Sequence, residues 1–291
     1  MSGLESVEVK ENHEMPKRKG SNETSGDVQI AGPTFIAENV NEAICDFDKE
    51  FLGEEQAKAA LLHEQIIKLS NEAKGYYASG NFDAAYETYW QILQMDVFDT
   101  SVLFDCYKNL GNIFLKDGDF AEAEELFDKA CTIDPQSDAL LVNYGVLEIQ
   151  RKNLERARER FRGAININSN NDSAWVGLAL VHREFGDVDL SWANLERALD
   201  SNKANETALM IALDWGIRDS RLEKISKRLS TYISEVSDSI ELRLSLAKVL
   251  FCSGNFVRAM EEANHVLKMQ PNNEDASRLI QVIENEVMAN K

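Results

Sequence analysis

Phe104 to Ser137 reads FDCYKNLGNIFLKDGDFAEAEELFDKACTIDPQS. In its first half Tyr107, Leu110, Gly111 and Phe114 recur at steps of three, one and three, which is one face of a helix. In its second half Ala123, Phe127 and Ala130 make a matching stripe, and Pro135 keeps that helix from continuing. Gly118 supplies open backbone after the first helix. Gly111, Ala123 and Ala130 are small enough to let the two helix backbones approach closely. The stretch therefore predicts a helix-turn-helix hairpin.

The turn tripeptide of this hairpin returns on a beat of 34 residues. Gly118-Asp119-Phe120 is followed by Lys152-Asn153-Leu154, Gly186-Asp187-Val188, the degenerate Ser220-Arg221-Leu222 and Gly254-Asn255-Phe256. A further copy, Gly80-Asn81-Phe82, stands 38 residues upstream. Such a period means that one hairpin is stacked repeatedly, because a single hairpin cannot bury its own apolar face.

The pattern resembles the tetratricopeptide repeat family, whose signature is W-x2-L-G-x2-Y, then A-x3-F and P. The first part appears as Tyr107-x2-Leu110-Gly111-x2-Phe114, Leu141-x2-Tyr144-Gly145 and Trp175-x2-Leu178-Ala179. The second part appears as Ala85-x3-Tyr89, Ala123-x3-Phe127, Ala157-x3-Phe161, Ser191-x3-Leu195 and Ala259-x3-Ala263. The resemblance implies an all-α, right-handed superhelical solenoid of about six repeats, starting near residues 66, 104, 138, 172, 206 and 240. Two copies depart from the pattern. The first has Glu72 where the family has Leu, and the fifth has Ile225 and Tyr232 where small residues belong. The fifth is expected to be a real helical pair with altered packing.

The expected organisation is an acidic disordered tail over 1–33, amphipathic capping helices over 34–65, repeats over 66–273 and a capping helix over 274–291. The tail lacks aromatics and cannot bury enough surface to fold alone; its Pro16-Lys17-Arg18-Lys19 cluster is read as solvated. After Pro33, Ile36, Val40, Ile44, Phe47 and Phe51 recur at helical steps, predicting an amphipathic helix that ends near Gly53. It is expected to cap the first repeat; the alternative is a docking segment that recognises a partner or fills the protein's own groove. A second helix carries Leu62, Ile66, Leu69, Ala73 and Tyr76 as its stripe. Ala276, Leu279, Ile280, Ile283 and Val287 mark the closing helix.

The chain has 291 residues and a formal charge of -19. That balance argues against nucleic acid and anionic membrane surfaces, which call for a basic face, and favours basic or amphipathic partners. Four scattered cysteines, Cys45, Cys106, Cys131 and Cys252, read as small buried hydrophobes of a reducing compartment. No apolar run is long enough to cross a bilayer, and no signal peptide is evident, so a cytoplasmic location is expected. His13, His63, His182 and His265 fall in four separate segments and form no metal-ligand pattern. With no nucleophile and base pairing and no phosphate loop, neither catalysis nor a cofactor is expected.

The family resemblance implies a concave surface lined by positions 2, 5, 9, 12 and 13 of each first helix. Mapped here, those positions and the adjoining ones give Lys108, Asn112, Asn143, Val146, Ile149, Val176, Leu180, Arg183, Met210 and Ile217 as a peptide-binding groove with an apolar middle. Lys108, Asn112 and Asn143 also match part of the carboxylate clamp of chaperone-binding members. Ser173 and Gly177 stand where that clamp needs its second pair of cations, so the clamp is half built. The function expected is an adaptor that binds one or more proteins through a peptide or amphipathic helix. The alternatives are a secretion-type chaperone for an export client and a self-associating assembly protein.

Overall fold

A computed structural model describes residues 54–97 and 99–289. The tail at 1–33 and the expected Ile36 to Phe51 helix lie outside the described residues. Thirteen α-helices and no strand are present among the described residues. They are α1 (Glu54–Ala78), α2 (Phe82–Leu93), α3 (Thr100–Asp117), α4 (Phe120–Ile133), α5 (Asp138–Gln150), α6 (Leu154–Ile167) and α7 (Asp172–Glu184). There follow α8 (Val188–Ser201), α9 (Glu206–Arg218), α10 (Leu222–Glu235), α11 (Ile240–Cys252), α12 (Phe256–Met269) and α13 (Glu274–Ala289). This is an all-α helical repeat fold of the solenoid class. The chain divides into two compact units, one ending at Asn143 and one beginning at Tyr144.

Two backbone devices, each repeating with the sequence beat, produce the hairpins. The first closes the inner turn. Gly118 and Gly186 lie at φ 82° and 81°, and the non-glycine residues at the same point of the beat, Lys152 and Ser220, are driven to 65° and 56°. In each case the next residue donates its N–H back across the turn: Asp119 to the Phe114 carbonyl at 2.9 Å, Asn153 to Glu148 at 2.8 Å and Arg221 to Gly216 at 2.8 Å. This is the left-handed helix ending that satisfies carbonyls otherwise orphaned at a C-terminus. The second device starts the next hairpin. Asn171, Asn205 and Asn273 accept the N–H of Ala174, Ala208 and Ala276 at 2.8, 2.7 and 2.9 Å. Ser137 and Ser239 cap Leu140 and Leu242 at 3.2 Å in the same way. All five caps stand 34 residues apart.

In the first unit, α1 buries Ile66 and Ala73. Tyr76, expected on that stripe, is 40% exposed; its neighbour Tyr77 turns inward instead and meets the Phe82 ring edge-on at 5.4 Å. Tyr89, Leu110, Phe114 and Phe127 are fully buried. A Cβ on Gly111 would lie 2.5 Å from the Phe127 ring, so the glycine is what admits that ring between α3 and α4.

In the second unit, the buried Phe161 of α6 sits against two glycines: a Cβ would meet its ring at 2.6 Å from Gly145 and at 2.3 Å from Gly177. The pair α9 and α10 solves the same problem differently. Ile225 occupies the place of the usual alanine, and the small partner has moved one helical turn, to Gly216, where a Cβ would lie 2.1 Å from Ile225 Cγ1. The degenerate copy is thus a real hairpin with its glycine displaced. The core around it includes Trp192, Leu195, Leu209, Trp215, Leu229 and Leu246, and α13 buries Ala276, Leu279 and Ile283.

The cysteines do not share one environment, contrary to the reading as buried hydrophobes. Cys106 is buried and Cys131 partly so, but Cys252 is exposed because it ends α11 and its side chain clears the core. Among the described residues no helix is long and apolar enough to cross a membrane.

Candidate functional site

Two of the groove residues expected in the first unit, Lys108 and Asn112, are already engaged within the chain. Lys108 Nζ lies 2.8 Å from an Asp105 carboxylate oxygen, and Lys74 Nζ reaches the other oxygen at 2.7 Å. Burial pushes the Asp105 carboxyl up, but the hydrogen bonds from Lys108 and Lys74 outweigh it and hold the group below its usual range. The Lys108 ammonium also lies 5.2 Å from the Phe104 ring centre. Asn112 hydrogen-bonds the Tyr77 hydroxyl, whose pKa is raised by burial despite that contact. Asn143 is half-buried. The one cation of the half-built clamp, Lys108, therefore faces an internal carboxylate, a pairing hidden in the sequence because Asp105 looks like an ordinary acidic position. A cleft lined by Leu62, His63, Ile66, Val97 and Asp99 measures only about 20 Å³, room for a water at most.

The second unit carries the apolar part of the expected groove, and the side chains there divide into three kinds. Val176 is 7% exposed and belongs to the core, so it offers a partner almost nothing. Val146, Ile149 and Leu180 are half-buried, Leu180 packing against the core. Met210 and Ile217 are 48% and 55% exposed, seven residues apart on the same face of α9. Between and beside them Asp214 and Arg218 pair at 3.1 Å, the guanidinium 69% exposed.

Arg183 does not stand free in a groove. Its Nη1 and Nη2 donate to the two Asp219 oxygens at 2.7 and 2.9 Å. Trp192 Nε1 donates to the same carboxylate at 2.7 Å. The Arg183 guanidinium lies 4.8 Å from the Trp215 ring centre, and the Trp192 and Trp215 rings meet edge-on at 6.3 Å. Arg221 covers the Trp192 ring at 5.1 Å while pairing with Asp189 at 2.7 Å. The Arg183 hydrogen bonds, against the opposing effect of burial and with help from Trp192, bring the Asp219 carboxyl down to about 2. This polar cluster of tryptophans and charges went unread in the sequence; the signal was Asp219 and Arg221 flanking a turn that lacks glycine.

Family models described as tetratricopeptide repeat match residues 71–138 and 114–180. The chain is 30% identical over 94 residues to the Sol locus transcriptional repressor of Clostridium acetobutylicum, a match covering 32% of this chain and 30% of that protein. It is 24% identical over 178 residues to the human mitochondrial import receptor subunit TOM70, covering 58% of this chain and 26% of the receptor. The chain thus spans less than a third of the length of these curated relatives. Among solved structures, the type IV pilus biogenesis factor PilW superposes with a TM-score of 0.53 at 18% identity, covering 74% of this chain and 98% of that one. Pseudomonas aeruginosa pilF gives 0.52 at 16% identity, covering 77% and 99%. At such identities these two structures bear on the fold alone. Residues 71–180 of this chain are thus tetratricopeptide repeats. Proteins of this class mediate protein–protein interactions.

Proposed function

We propose that the chain is an adaptor whose second unit binds a partner peptide or amphipathic helix on the face of α9, bordered by the half-buried apolar residues of α5 and α7. The observation that carries the reading is the exposure of Met210 and Ile217. They are two large apolar side chains on one helical face whose opposite side is core, next to a charged pair that fixes orientation. An amphipathic helix with apolar anchors at i, i+3, i+4 and i+7 fits such a face. Val146, Ile149 and Leu180 would supply the lower walls. Arg183 has a positioning role, holding the turn after α9 through Asp219, and Lys108, Asn112 and Asn143 are not part of this contact surface. A cytoplasmic location goes with this proposal.

The test is capture by the purified full chain compared with a Met210→Glu/Ile217→Glu variant. Both positions are exposed, so the variant should keep its helical content and melting temperature. Selective loss of one partner supports the reading. An unchanged set of partners from the folded variant removes the α9 face from consideration.

A further inference from the structure

The chain is strongly acidic, yet residues 151–162 hold Arg151, Lys152, Arg156, Arg158, Arg160 and Arg162 against only Glu155 and Glu159. That is a net +4 within twelve residues of a chain whose net charge is -19. We propose that the cationic surface of α6, with the turn that leads into it, is a second docking surface, one that takes an acidic segment of a partner protein. It lies on the second helix of its hairpin and is independent of the α9 face.

Three observations carry the assignment. The first is that three of the cations are not used up. On α10 two of the three cations are matched by carboxylates of α8: Lys224 by Glu196 at 3.0 Å and Arg228 by Asp200 at 2.7 Å. The side chains of Lys152, in the turn before α6, and of Arg156 and Arg162 on it have no carboxylate partner among the described residues. The second is arrangement. Arg156 and Arg160 follow one another at i and i+4 on α6, about 6 Å apart along its axis, with Lys152 in the turn just ahead of the helix. Arg158 and Arg162 form a second row at i and i+4, and Glu155 and Glu159 run between the two.

The third observation is how the guanidiniums are held. Arg160 lies 4.8 Å from the Tyr144 ring centre and Arg158 lies 5.6 Å from that of Phe185. Arg158 also pairs with Glu155, and its buried Nε has no hydrogen-bond partner among the described residues. A guanidinium stacked on a ring keeps its fork of donors oriented, which suits bidentate binding of carboxylates. Carboxylates spaced four apart on a helix would meet a row of the same spacing.

Charge argues for a protein partner over the other polyanions. Nucleic acid or an anionic bilayer extends well past a Debye length of about 8 Å and would meet the rest of this acidic surface. A short acidic segment needs only the local field. The rows being split by Glu155 and Glu159 also disfavours a continuous phosphate track.

The probe is a fluorescein-labelled 16-residue Ala/Glu peptide with glutamates at i and i+4, titrated by anisotropy with the full chain. A peptide with every Glu changed to Gln is the control. Binding should weaken at least tenfold in an Arg156→Glu/Arg162→Glu variant of unchanged circular dichroism, and should weaken with added salt. The Met210→Glu/Ile217→Glu variant should bind the peptide as the wild type does, which separates this surface from the α9 face. The proposal is overturned by absence of peptide binding or by equal binding to wild type and the α6 variant. It is also overturned if a 20-nucleotide single strand or phosphatidylserine vesicles bind these residues more tightly than the peptide.

Discussion

Arg183 on α7 and Asp219 just past α9 are joined by two parallel hydrogen bonds of 2.7 and 2.9 Å, and Trp192 on α8 donates a third to the same carboxylate. One aspartate thus ties two successive hairpins together at the turn that lacks a glycine. The Asp219 side chain is 17% exposed and that of Arg183 22%, so water screens the pair less than an open surface bridge.

Asp219 should therefore give the molecule an acid-sensitive increment of stability. Its carboxyl is brought from an ordinary value of 3.8 down to about 2. A depressed carboxylate contributes fully above the unfolded value near 4 and loses that contribution as pH falls through the folded value near 2. Asp219→Ala should lower stability at pH 7 by about 2 kcal/mol, since Arg183 and Trp192 both lose their acceptor. Urea melts of wild type and variant at pH 7, 4, 3 and 2 should converge at the acid end. A constant gap across that range would show that the carboxylate charge is irrelevant.

The inner turns offer a cleaner backbone experiment. A Cβ built on Gly118 or Gly186 meets nothing within 4 Å, so an alanine there would pay only for its left-handed conformation, at about 1–2 kcal/mol. Ser220 already sits at φ 56° in the equivalent turn. Ser220→Gly should raise stability by about 0.5–1 kcal/mol while Gly186→Ala lowers it. Opposite signs in thermal melts are the expected result, and equal signs would contradict the strain account.

Helix starts can be tested at Asn205. Its side chain caps Ala208 at 2.7 Å and also donates to Asp172 at 2.8 Å. Asn205→Ala should cost about 1 kcal/mol from the cap, and Asn205→Ser should recover most of it, since serine caps as well. Hydrogen exchange at Ala208 should accelerate in the alanine variant alone.

The repeat architecture could be read from the sequence because its determinants are local. A left-handed turn residue, a capping side chain and a small residue against a ring each recur at a fixed offset, so even Lys152 and Ser220 were placed correctly by the beat. The surface was less legible because it depends on contacts one repeat away. Val176 shares its repeat position with the exposed Met210, yet falls in the core, since exposure depends on the bulk of the neighbouring hairpin. Arg183 is satisfied by Asp219, 36 residues on. Tyr76 and Tyr77 differ by one step, and a stripe read at helical period cannot decide between adjacent aromatics.

The three described thiols should react at different rates. Burial, with the nearby Asp105 charge adding to it, pushes the Cys106 thiol up to about 12, so it holds almost no thiolate at neutral pH. Cys252 is exposed. Titration with a thiol reagent in native buffer should label Cys252 promptly, Cys252→Ser should remove that phase, and Cys106 should react only when the first unit unfolds.

The degenerate hairpin supplies the sharpest packing test. Gly216 and the fully buried Ile225 are in such close contact that a Cβ on the glycine would overlap Ile225 Cγ1 at 2.1 Å. The overlapping atom belongs to a branched side chain already fixed in the core, so Gly216→Ala should cost more than 2 kcal/mol, the range of overpacking. Ile225→Ala alone should also destabilise, by leaving a cavity of several methyl groups. The double variant restores the alanine that four of the other hairpins, at Ala85, Ala123, Ala157 and Ala259, use at the Ile225 position, and gives the new methyl room. Its loss should therefore be smaller than the sum of the single losses by at least 1 kcal/mol, a coupling well outside the error of additivity. Strictly additive losses in denaturant melts would mean that the glycine is present for some reason other than admitting Ile225.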